Sequence, residues 1–448
     1  MTRNIPLSHS ITSIISTLIL IISSVLLGYS AFWGILGGII VCVIFSKING
    51  FSFINILDMA YNGIKSAYIV LIIMILIGII ISIWMGSGTI PALMYYGFNY
   101  LSNTNFTLAT FIISSFISLI LGTSVGTIST AGIPLMGIGI GIGVPPYVTA
   151  GAIVSGAFLG DRTSPMSSSA NLTAVITDTD LYENIKYMIV TLIPVLIFSL
   201  LFYYLIGKNY VLTQNVLGEI STIKSLINDN FNISPLLLLP PVVIIVMSLL
   251  KVNIKYNLIS GIILGILLSF IYQNSNIYEI IQTAIFGFNS SNPNINEIIS
   301  GGGFIAMKGI LSIVGGATAL YGILEGTNMI KPIINSFIKN INTIPSLIIK
   351  TCILSILMDI ITLNQTLSII VPGKSMKNTY KELNVSNNIL ARTIGDSGTV
   401  VAPLIPWNIN GLVISVALGA SVIKYAPFAI LCYLLPLSTM VLSYFEKK

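Results

Sequence analysis

Two Gly-Asp pairs lie in largely apolar parts of the chain, each followed by small hydroxyl residues. The first is Gly160-Asp161, which Arg162-Thr163-Ser164 follows, and the second is Gly395-Asp396, which Ser397-Gly398-Thr399 follows. A carboxylate at membrane depth is costly and is therefore a candidate functional group. Carboxylate, hydroxyl and amide oxygens are hard ligands that suit a small cation such as Na⁺. The two pairs therefore predict a cation site built from oxygen ligands.

Short stretches precede both pairs, one rich in Gly, Ser and Thr at residues 122–127 and one rich in Thr and side-chain amides at residues 362–366. Backbone that interrupts a helix at membrane depth must be buried in protein or line a cavity. A single hydroxyl could instead serve close helix packing. The prediction therefore depends on the occurrence of the same pattern at two places in the chain. The candidate ion-binding residues, at which we expect Na⁺, are Asp161, Asp396, Thr123, Ser124, Thr127, Ser164, Asn171, Asn364, Ser397, Thr399 and Asn408.

The carboxylates differ in their sequence neighbours. Asp161 is followed by Arg162, so a structural ion pair between them is an alternative to ion binding. Asp396 has no adjacent cation, although Arg392 lies four residues before it. Asp359 precedes the 362–366 stretch and could serve either helix capping or ion coupling. Asp396 is therefore the first choice of ion carrier and Asp161 the second.

Composition excludes a soluble globular protein. Of the 448 residues 55% are hydrophobic and 8% charged, and the mean hydropathy is +0.96, whereas soluble domains are about 25% charged. The net charge of +6 is spread over the whole chain and does not form the dense basic patch of a nucleic-acid-binding protein. The three cysteines, which lie in apolar runs without metal-ligand spacing, predict neither disulfides nor a structural metal. These are Cys42, Cys352 and Cys432.

Apolar runs predict an all-α polytopic membrane protein with ten to twelve transmembrane helices. The first run, at 11–27, is expected to be a retained span because no convincing cleavage site follows it. Two Gly- and Pro-interrupted segments, at 133–160 and 397–420, are expected to be broken or re-entrant. The other runs lie at 30–45, 66–85, 106–121, 185–206, 235–250, 255–272, 303–324, 345–361 and 425–445.

Basic residues near span ends predict that both termini are cytoplasmic, because Lys and Arg accumulate on that side. The stretch from Lys374 to Arg392 is expected to be a solvated cytoplasmic connection. We divide the chain into a transmembrane half at 1–206, a polar linker loop at 207–234 and a second transmembrane half at 235–448. The residues used for orientation are Arg3, Lys47, Lys65, Lys251, Lys255, Lys374, Lys377, Lys381, Arg392, Lys447 and Lys448.

Two weak internal matches predict that the halves are repeats. The two Gly-Asp pairs have a sequence offset of 235 (395 minus 160), and Pro91 and Pro332 have an offset of 241 (332 minus 91). The charge pattern places span 66–85 and span 303–324 in opposite directions, so the repeats are predicted to have inverted topology. Inverted repeats with interrupted hydrophobic segments at matching places are typical of secondary transporters.

The motifs resemble those of the NhaC family of sodium/proton antiporters over most of the chain, from Gly63 to Phe445. The resemblance implies a secondary transporter of the cytoplasmic membrane that exchanges Na⁺ for H⁺, with some relatives carrying malate, lactate or amino acids. The passages that carry it are residues 63–66 with 87–91, residues 122–132 with 151–172, residues 179–185, and residues 365–373 with 396–408.

Three departures from the family pattern bear on proton coupling. Val125 stands where the family usually has Trp, Ser168 and Ala170 where it has Asp and Thr, and Gly395 where it has Glu. Proton antiport needs a carboxylate that alternates between H⁺ and Na⁺, and two family carboxylates are absent here. Asp161 and Asp396 are the carriers that the sequence retains.

Alternating-access Na⁺/H⁺ antiport is therefore the first hypothesis, and Na⁺-coupled transport or exchange of an amino acid or small organic acid is the second. A remote third is an intramembrane aspartyl protease, although the two Gly-Asp pairs belong to transporter-like breaks. We expect no enzyme activity and no bound cofactor. The expected partners are membrane lipid, Na⁺, H⁺, a small organic solute under the second hypothesis and a second copy of the chain, with no nucleic acid.

Overall fold

The computed structural model describes residues 5–101, 104–210, 214–250 and 252–446, and its regular elements there are helices. Many begin at a Ser, Thr, Asn or Asp whose side chain accepts a backbone N–H of the first turn. In the first half, a π-helical turn at Ile128–Gly132 joins α7 to α8. The helices are α1 (Leu7–Leu26), α2 (Ala31–Ile48), α3 (Phe53–Ser66), α4 (Tyr68–Gly86), α5 (Thr89–Leu101), α6 (Phe106–Leu121), α7 (Ser124–Thr127), α8 (Ile133–Gly141), α9 (Pro146–Thr163), α10 (Ser168–Thr177) and α11 (Leu181–Lys208).

In the rest of the chain, short turns of other helix types again interrupt the α-helices. A π-helical turn at Gly395–Thr399 follows α22, and 3₁₀ turns lie at Pro235–Leu238, Ala402–Leu404 and Ala426–Phe428. The helices are α12 (Gln214–Asn230), α13 (Leu239–Leu249), α14 (Ile254–Tyr272), α15 (Ile277–Phe286), α16 (Pro293–Ile298), α17 (Gly303–Ala306), α18 (Lys308–Gly326), α19 (Ile330–Ile338), α20 (Ile344–Thr362), α21 (Gln365–Glu382), α22 (Asn387–Ile394), α23 (Ile409–Leu418), α24 (Val422–Tyr425) and α25 (Ile430–Leu442).

The prediction of an all-α polytopic membrane protein is confirmed. Within the described ranges, 8 helices are long and apolar enough to cross a membrane, or up to 11 if each bent helix pair is one span. One bent pair, at residues 387–418, covers most of the predicted broken segment 397–420. Orientation stays a prediction, and Arg3, Lys251, Lys447 and Lys448 lie outside the described residues.

Two parts of the loop prediction need correction. The stretch 374–392 is mostly helical, since α21 continues to Glu382, and Arg392 is buried in α22 rather than solvated. The predicted linker 207–234 contains α12, whose Ile227 is fully buried. The division of the chain into halves remains a prediction.

Helix boundaries recur along the chain at a nearly constant offset. The bounds of α10 and α23 have an offset of 241 (409 minus 168), and those of α4 and α18 have one of 240 (308 minus 68). Gly122 and Leu363, which share the first of these offsets (363 minus 122), both adopt a left-handed backbone after a long helix. The offset of 240 to 241 between helix boundaries agrees with the offset of 241 between Pro91 and Pro332. It disagrees with the offset of 235 between the two Gly-Asp pairs, so these pairs do not occupy corresponding positions. In the structural register Asp396 corresponds to Ser155, and the inverted topology stays a prediction.

The central element is α9, which is buried at every residue from Val148 to Thr163. Small residues allow its neighbours to approach. A Cβ atom at Gly156 would lie 2.7 Å from the Ser115 backbone nitrogen on α6, and one at Gly160 would lie 2.2 Å from the Ser118 carbonyl carbon. Such close crossings through small residues are typical of helix packing in membranes. This packing places the last turn of α9, with Asp161 and Arg162, deep in the protein.

A second close crossing, between α3 and α18, gives a stability prediction. A Cβ atom at Gly322 would lie 2.3 Å from the Met59 carbonyl oxygen and 2.9 Å from the Gly63 Cα. We expect Gly322→Ala to destabilise the protein by about 1–3 kcal/mol, because the two helices must separate. Gly315→Ala on the same helix is the matched control, since a Cβ there meets nothing within 4 Å. Thermal unfolding in detergent measures both, and equal unfolding midpoints for the two variants would refute the crossing.

Candidate functional site

Four chain breaks place four helix starts in one region. Thr123 precedes α7 and Asn364 precedes α21, and each side chain accepts a backbone N–H of the turn that it begins. Ser167 and Asn408 cap α10 and α23 in the same way. Thr123 and Asn364 are separated by the same number of residues as the starts of α10 and α23, and so are Ser167 and Asn408. Gly122 is required at the first break, because its φ is +64° and a Cβ would lie 2.4 Å from the Met166 carbonyl carbon. The breaks therefore position the four capping residues and the helix starts that follow them.

Asp161 occupies the centre of this region and is only 5% exposed. Its Oδ2 accepts a hydrogen bond from the Ser124 hydroxyl at 2.9 Å. Its Oδ1 accepts from the Ser167 hydroxyl at 3.2 Å and from the Ser169 hydroxyl at 3.3 Å. No ion pair to Asp161 forms among the described residues. A buried carboxylate is thus held by neutral groups only.

The second half of the chain completes this shell through Gln365, the first residue of α21. Its Nε2 donates to Asp161 Oδ2 at 3.3 Å and to the Ser169 hydroxyl at 3.2 Å. Its Oε1 accepts from the Asn410 side chain at 2.5 Å. Gln365, which Asn410 contacts in turn, therefore connects the C-terminal part of the chain to a carboxylate of its N-terminal part.

A cavity of about 240 Å³ adjoins the carboxylate. Hydroxyl oxygens keep lone pairs free when they donate, so they can turn toward a cation that enters. The helix starts at α10 and α21 also favour negative charge beside them, which suits an ionised carboxylate. The cavity lining includes Thr123, Ser124, Asp161, Ser168, Gln365 and Asn410.

Asp396 lies in a different environment from the one predicted. It forms an ion pair with Arg162, and both side chains are fully buried. Thr439 donates to Asp396 Oδ2 at 2.5 Å, and Arg162 Nη2 also donates to the Met188 carbonyl at 2.9 Å and the Thr191 hydroxyl at 2.8 Å. The alternative of an Asp161–Arg162 ion pair is therefore wrong, because the arginine turns to Asp396. Asp396 therefore has a buried cationic partner, while its place as the first choice of ion carrier stays a prediction.

The other predicted ligands lie in several different environments. Thr123 and Ser124 line the cavity, whereas Asn171 lines a neighbouring cavity. Four of them bond to backbone carbonyls: Thr127 to Thr123, Ser164 to Leu119, Ser397 to Thr393 and Asn408 to Asp359. Thr399 is buried in the π-helical turn and Asn364 caps α21.

Four residues of the shell were missed as ligands: Ser167, Ser169, Gln365 and Asn410. Each of the four lies at or just after a chain break that the sequence pattern predicts. A polar residue in the first two positions after each break is the signal that could have found three of them. Ser167 is instead the capping residue itself, which supplies its hydroxyl to Asp161 as well as to its own helix.

A polytopic helical protein that surrounds one buried carboxylate with uncharged hydroxyl and amide groups at helix breaks has the architecture of a secondary transporter. The profile of the Na⁺/H⁺ antiporter family matches residues 156–447. The chain belongs to this family, which makes it a transporter rather than an enzyme, and the resemblance to NhaC antiporters is confirmed.

Several relatives cover nearly the whole chain. The Na⁺/H⁺ antiporter NhaC of Alkalihalophilus pseudofirmus is 31% identical over 91% of this chain and 89% of its own. The Na⁺/H⁺ antiporter NhaC of Bacillus subtilis is 32% identical over 89% of this chain and 88% of its own. The malate-2H⁺/Na⁺-lactate antiporter of Bacillus subtilis is 30% identical over 85% of this chain and 81% of its own.

Proposed function

We propose that the protein exchanges Na⁺ for H⁺ by competition of the two ions for Asp161. The observation that carries this proposal is the shell of Asp161, which holds a buried carboxylate with hydroxyl and amide groups and no ion-paired cation among the described residues. A proton neutralises the carboxylate directly. Na⁺ neutralises it as a bound cation, with the hydroxyl oxygens as further ligands. One carboxylate can therefore carry either ion but not both.

The position of the shell between the halves supports alternating access. Ser124, Ser167 and Ser169 come from the first half, and Gln365 comes from the second. A movement of one half against the other would open the shell without unfolding either helix break. Neutralising Asp161 before that movement avoids carrying an unpaired charge across the membrane interior.

A second cavity, of about 410 Å³, supplies an access route in this proposal. It shares Thr123 and Ser168 with the ion cavity, and Val252 and Ile254 line its other side. These two residues precede Lys255, which the charge pattern assigns to the cytoplasm. We therefore assign the route to the cytoplasmic side and both chain termini to the cytoplasm, with the protein in the cytoplasmic membrane.

A proteoliposome assay tests the exchange. Purified protein with a trapped pH dye is given a proton gradient, and Na⁺, Li⁺ or K⁺ is then added without any organic solute. We expect Na⁺ or Li⁺ to dissipate the gradient, because the small shell favours a small cation. A folded protein that shows no response to any of the three cations would contradict the proposal.

Gln365 gives a prediction specific to the contact between the halves. Gln365→Ala removes the amide that orients the Asp161 carboxylate. Loss of such a supporting partner typically lowers metal affinity about 10- to 100-fold, so we expect the KM for Na⁺ to rise by about that factor. The maximal rate should change less, since Asp161 remains. Gln282→Ala, an exposed glutamine on α15, is the matched control. An unchanged KM in Gln365→Ala would remove this residue from the shell.

A second candidate function is Na⁺-coupled exchange of a small organic acid. The observation that favours it is the cavity of about 410 Å³, which is larger than one ion needs and adjoins two helix starts that suit a carboxylate. Ser168, where the family usually has Asp, lines both cavities. Dissipation of the proton gradient that requires both Na⁺ and an added dicarboxylate or amino acid would favour this candidate over simple antiport.

A further inference from the structure

Asn410 is a polar residue beside the ion cavity to which the exchange at Asp161 assigns no task. It is the second residue of α23 and lines the cavity of about 240 Å³. Its Nδ2 donates to Gln365 Oε1 at 2.5 Å. The hydrogen bonds that Asp161 accepts within the described ranges come from three serines and Gln365, and none comes from Asn410. The contact of Asn410 with the carboxylate is therefore indirect, through Gln365.

The orientation of the Gln365 amide matters because its two ends have opposite hydrogen-bonding character. The nitrogen end donates to Asp161 Oδ2 at 3.3 Å and to the Ser169 hydroxyl at 3.2 Å. An ionised carboxylate can only accept hydrogen bonds. An amide turned end for end would place its oxygen against the carboxylate oxygen, and two acceptors repel each other. The shell therefore requires the orientation in which Gln365 Oε1 points away from Asp161.

Asn410 supplies the donor that this outward oxygen needs. A carbonyl oxygen that leaves water without gaining a donor loses stability, so the amide is held best where both of its ends have partners. Gln365 Nε2 has Asp161 and Ser169, and Gln365 Oε1 has Asn410. Hydrogen bonds in such a chain also polarise one another, which strengthens the bond to the carboxylate. Removing the Asn410 donor would therefore leave the Gln365 side chain free to turn away.

The backbone holds Asn410 in place relative to Gln365. The Asn410 backbone nitrogen donates to the capping side chain of Asn408 at 3.0 Å. The backbone nitrogen of Ile409 donates to the Leu363 carbonyl at 3.0 Å, and Leu363 lies two residues before Gln365 at the end of α20. The start of α23 is thus tied to the break from which α21 begins. This tie keeps the Asn410 donor within reach of the Gln365 oxygen.

The N-terminal part of the chain offers a comparison at the same offset. Ser124 corresponds to Gln365 (365 minus 124 is 241), and Ser169 corresponds to Asn410 (410 minus 169 is 241). Both serines donate directly to Asp161. Of the corresponding amides, Gln365 alone reaches the carboxylate among the described contacts, and Asn410 reaches Gln365. The second pair therefore supports the carboxylate in two steps, where the first pair does so in one.

We propose that Asn410 is a positioning residue for Na⁺ binding, which it affects by holding the Gln365 amide nitrogen toward Asp161. This inference rests on the proposed exchange at Asp161. Partners that orient a metal ligand from one step further out typically contribute about 10- to 100-fold to metal affinity. Asn410 therefore sets the Na⁺ affinity of the carboxylate through Gln365.

A double-mutant cycle in proteoliposomes tests this proposal. Asn410→Leu keeps the approximate shape of the side chain and removes the donor. We expect the KM for Na⁺ to rise about tenfold while the maximal rate changes little, because Asp161 is still present. Adding Asn410→Leu to Gln365→Ala should raise the KM no further, since the residue through which Asn410 acts is then gone. Asn62→Leu, at an exposed asparagine on α3, is the matched control and should behave as the wild-type protein.

The possible failures are distinguishable. An unchanged KM in Asn410→Leu, or a double variant whose KM rises by the product of the two single effects, would overturn the positioning role. Asn410→Ser, whose shorter hydroxyl does not reach Gln365 Oε1, should give the same rise in KM and replaces Asn410→Leu if that variant does not fold. Unchanged binding of labelled Na⁺ by Asp161→Asn in detergent would instead overturn the site at Asp161 on which the inference rests.

Discussion

Asp161→Asn is expected to abolish Na⁺-driven dissipation of a proton gradient and to lower Na⁺ affinity by about 100-fold or more. The change removes the charge that attracts the cation and the group that takes the proton, while the amide keeps the shape of the side chain. A loss of about 3 kcal/mol, the upper range for a hydrogen bond to a charged group, corresponds to that factor. Exchange is measured in proteoliposomes with a pH dye, and binding is measured with labelled Na⁺ in detergent.

The fold of this variant is expected to survive. Ser124, Ser167, Ser169 and Gln365 can all bond to an amide, because each hydroxyl can donate or accept and the glutamine amide carries both kinds of group. Asp58→Asn, the same substitution at an exposed site, controls for the chemistry of the replacement. Wild-type rates of Na⁺/H⁺ exchange in Asp161→Asn would remove this carboxylate from the mechanism.

The second large effect concerns stability rather than transport. Breaking the buried pair between Arg162 and Asp396 by Asp396→Leu alone leaves an uncompensated guanidinium, at an expected cost of about 3–5 kcal/mol. Arg162→Met alone should cost as much for the converse reason. The double variant should recover most of the lost stability, because an apolar pair of similar volume is often neutral in place of a buried ion pair.

Exchange activity in the double variant separates a structural role of Asp396 from ion transport. We expect Na⁺/H⁺ exchange to be retained once the fold is restored, since within the described residues neither side chain hydrogen-bonds to Asp161 or to its four partners. Thermal unfolding in detergent and the proteoliposome assay measure the two properties on the same preparation. A stable double variant without exchange would return Asp396 to the transport mechanism.

Hydropathy and composition predicted the fold class because the bilayer imposes it. Length and apolarity identified most of the spans, and runs of Gly, Ser, Thr and Asn identified the breaks, since such residues at membrane depth must face protein or a cavity. The Pro91 and Pro332 match even gave the offset at which the helix boundaries recur. The Gly-Asp match failed because a two-residue identity carries little information about register.

The partners of Asp161 and Arg162 could not be predicted from their adjacency. Consecutive residues on a helix do not face each other, so the two side chains of this dipeptide point to different neighbours. Arg162 meets Asp396 and Asp161 meets Gln365, and both partners lie in the other half of the chain. Only the packing of the two halves determines these pairs.

The structure also shows where the residues that depart from the family pattern lie. Ser168 and Val125 line the cavity beside Asp161, so the Asp that the family usually has at 168 would have added a second charge there. A Cβ at Gly395 would instead lie 2.7 Å from the Met188 side chain, on the side of the Arg162–Asp396 pair. Among the described residues that line this cavity, Asp161 is therefore the one carboxylate.

The most direct test of competition at Asp161 is the pH dependence of Na⁺ binding to the wild-type protein in detergent, without organic solute. If Na⁺ and H⁺ share the carboxylate, the apparent Na⁺ affinity falls about tenfold for each unit by which the pH is lowered through the range where protons occupy the site. An Na⁺ affinity that is independent of pH, or that appears only when a solute is added, would contradict the proposed exchange.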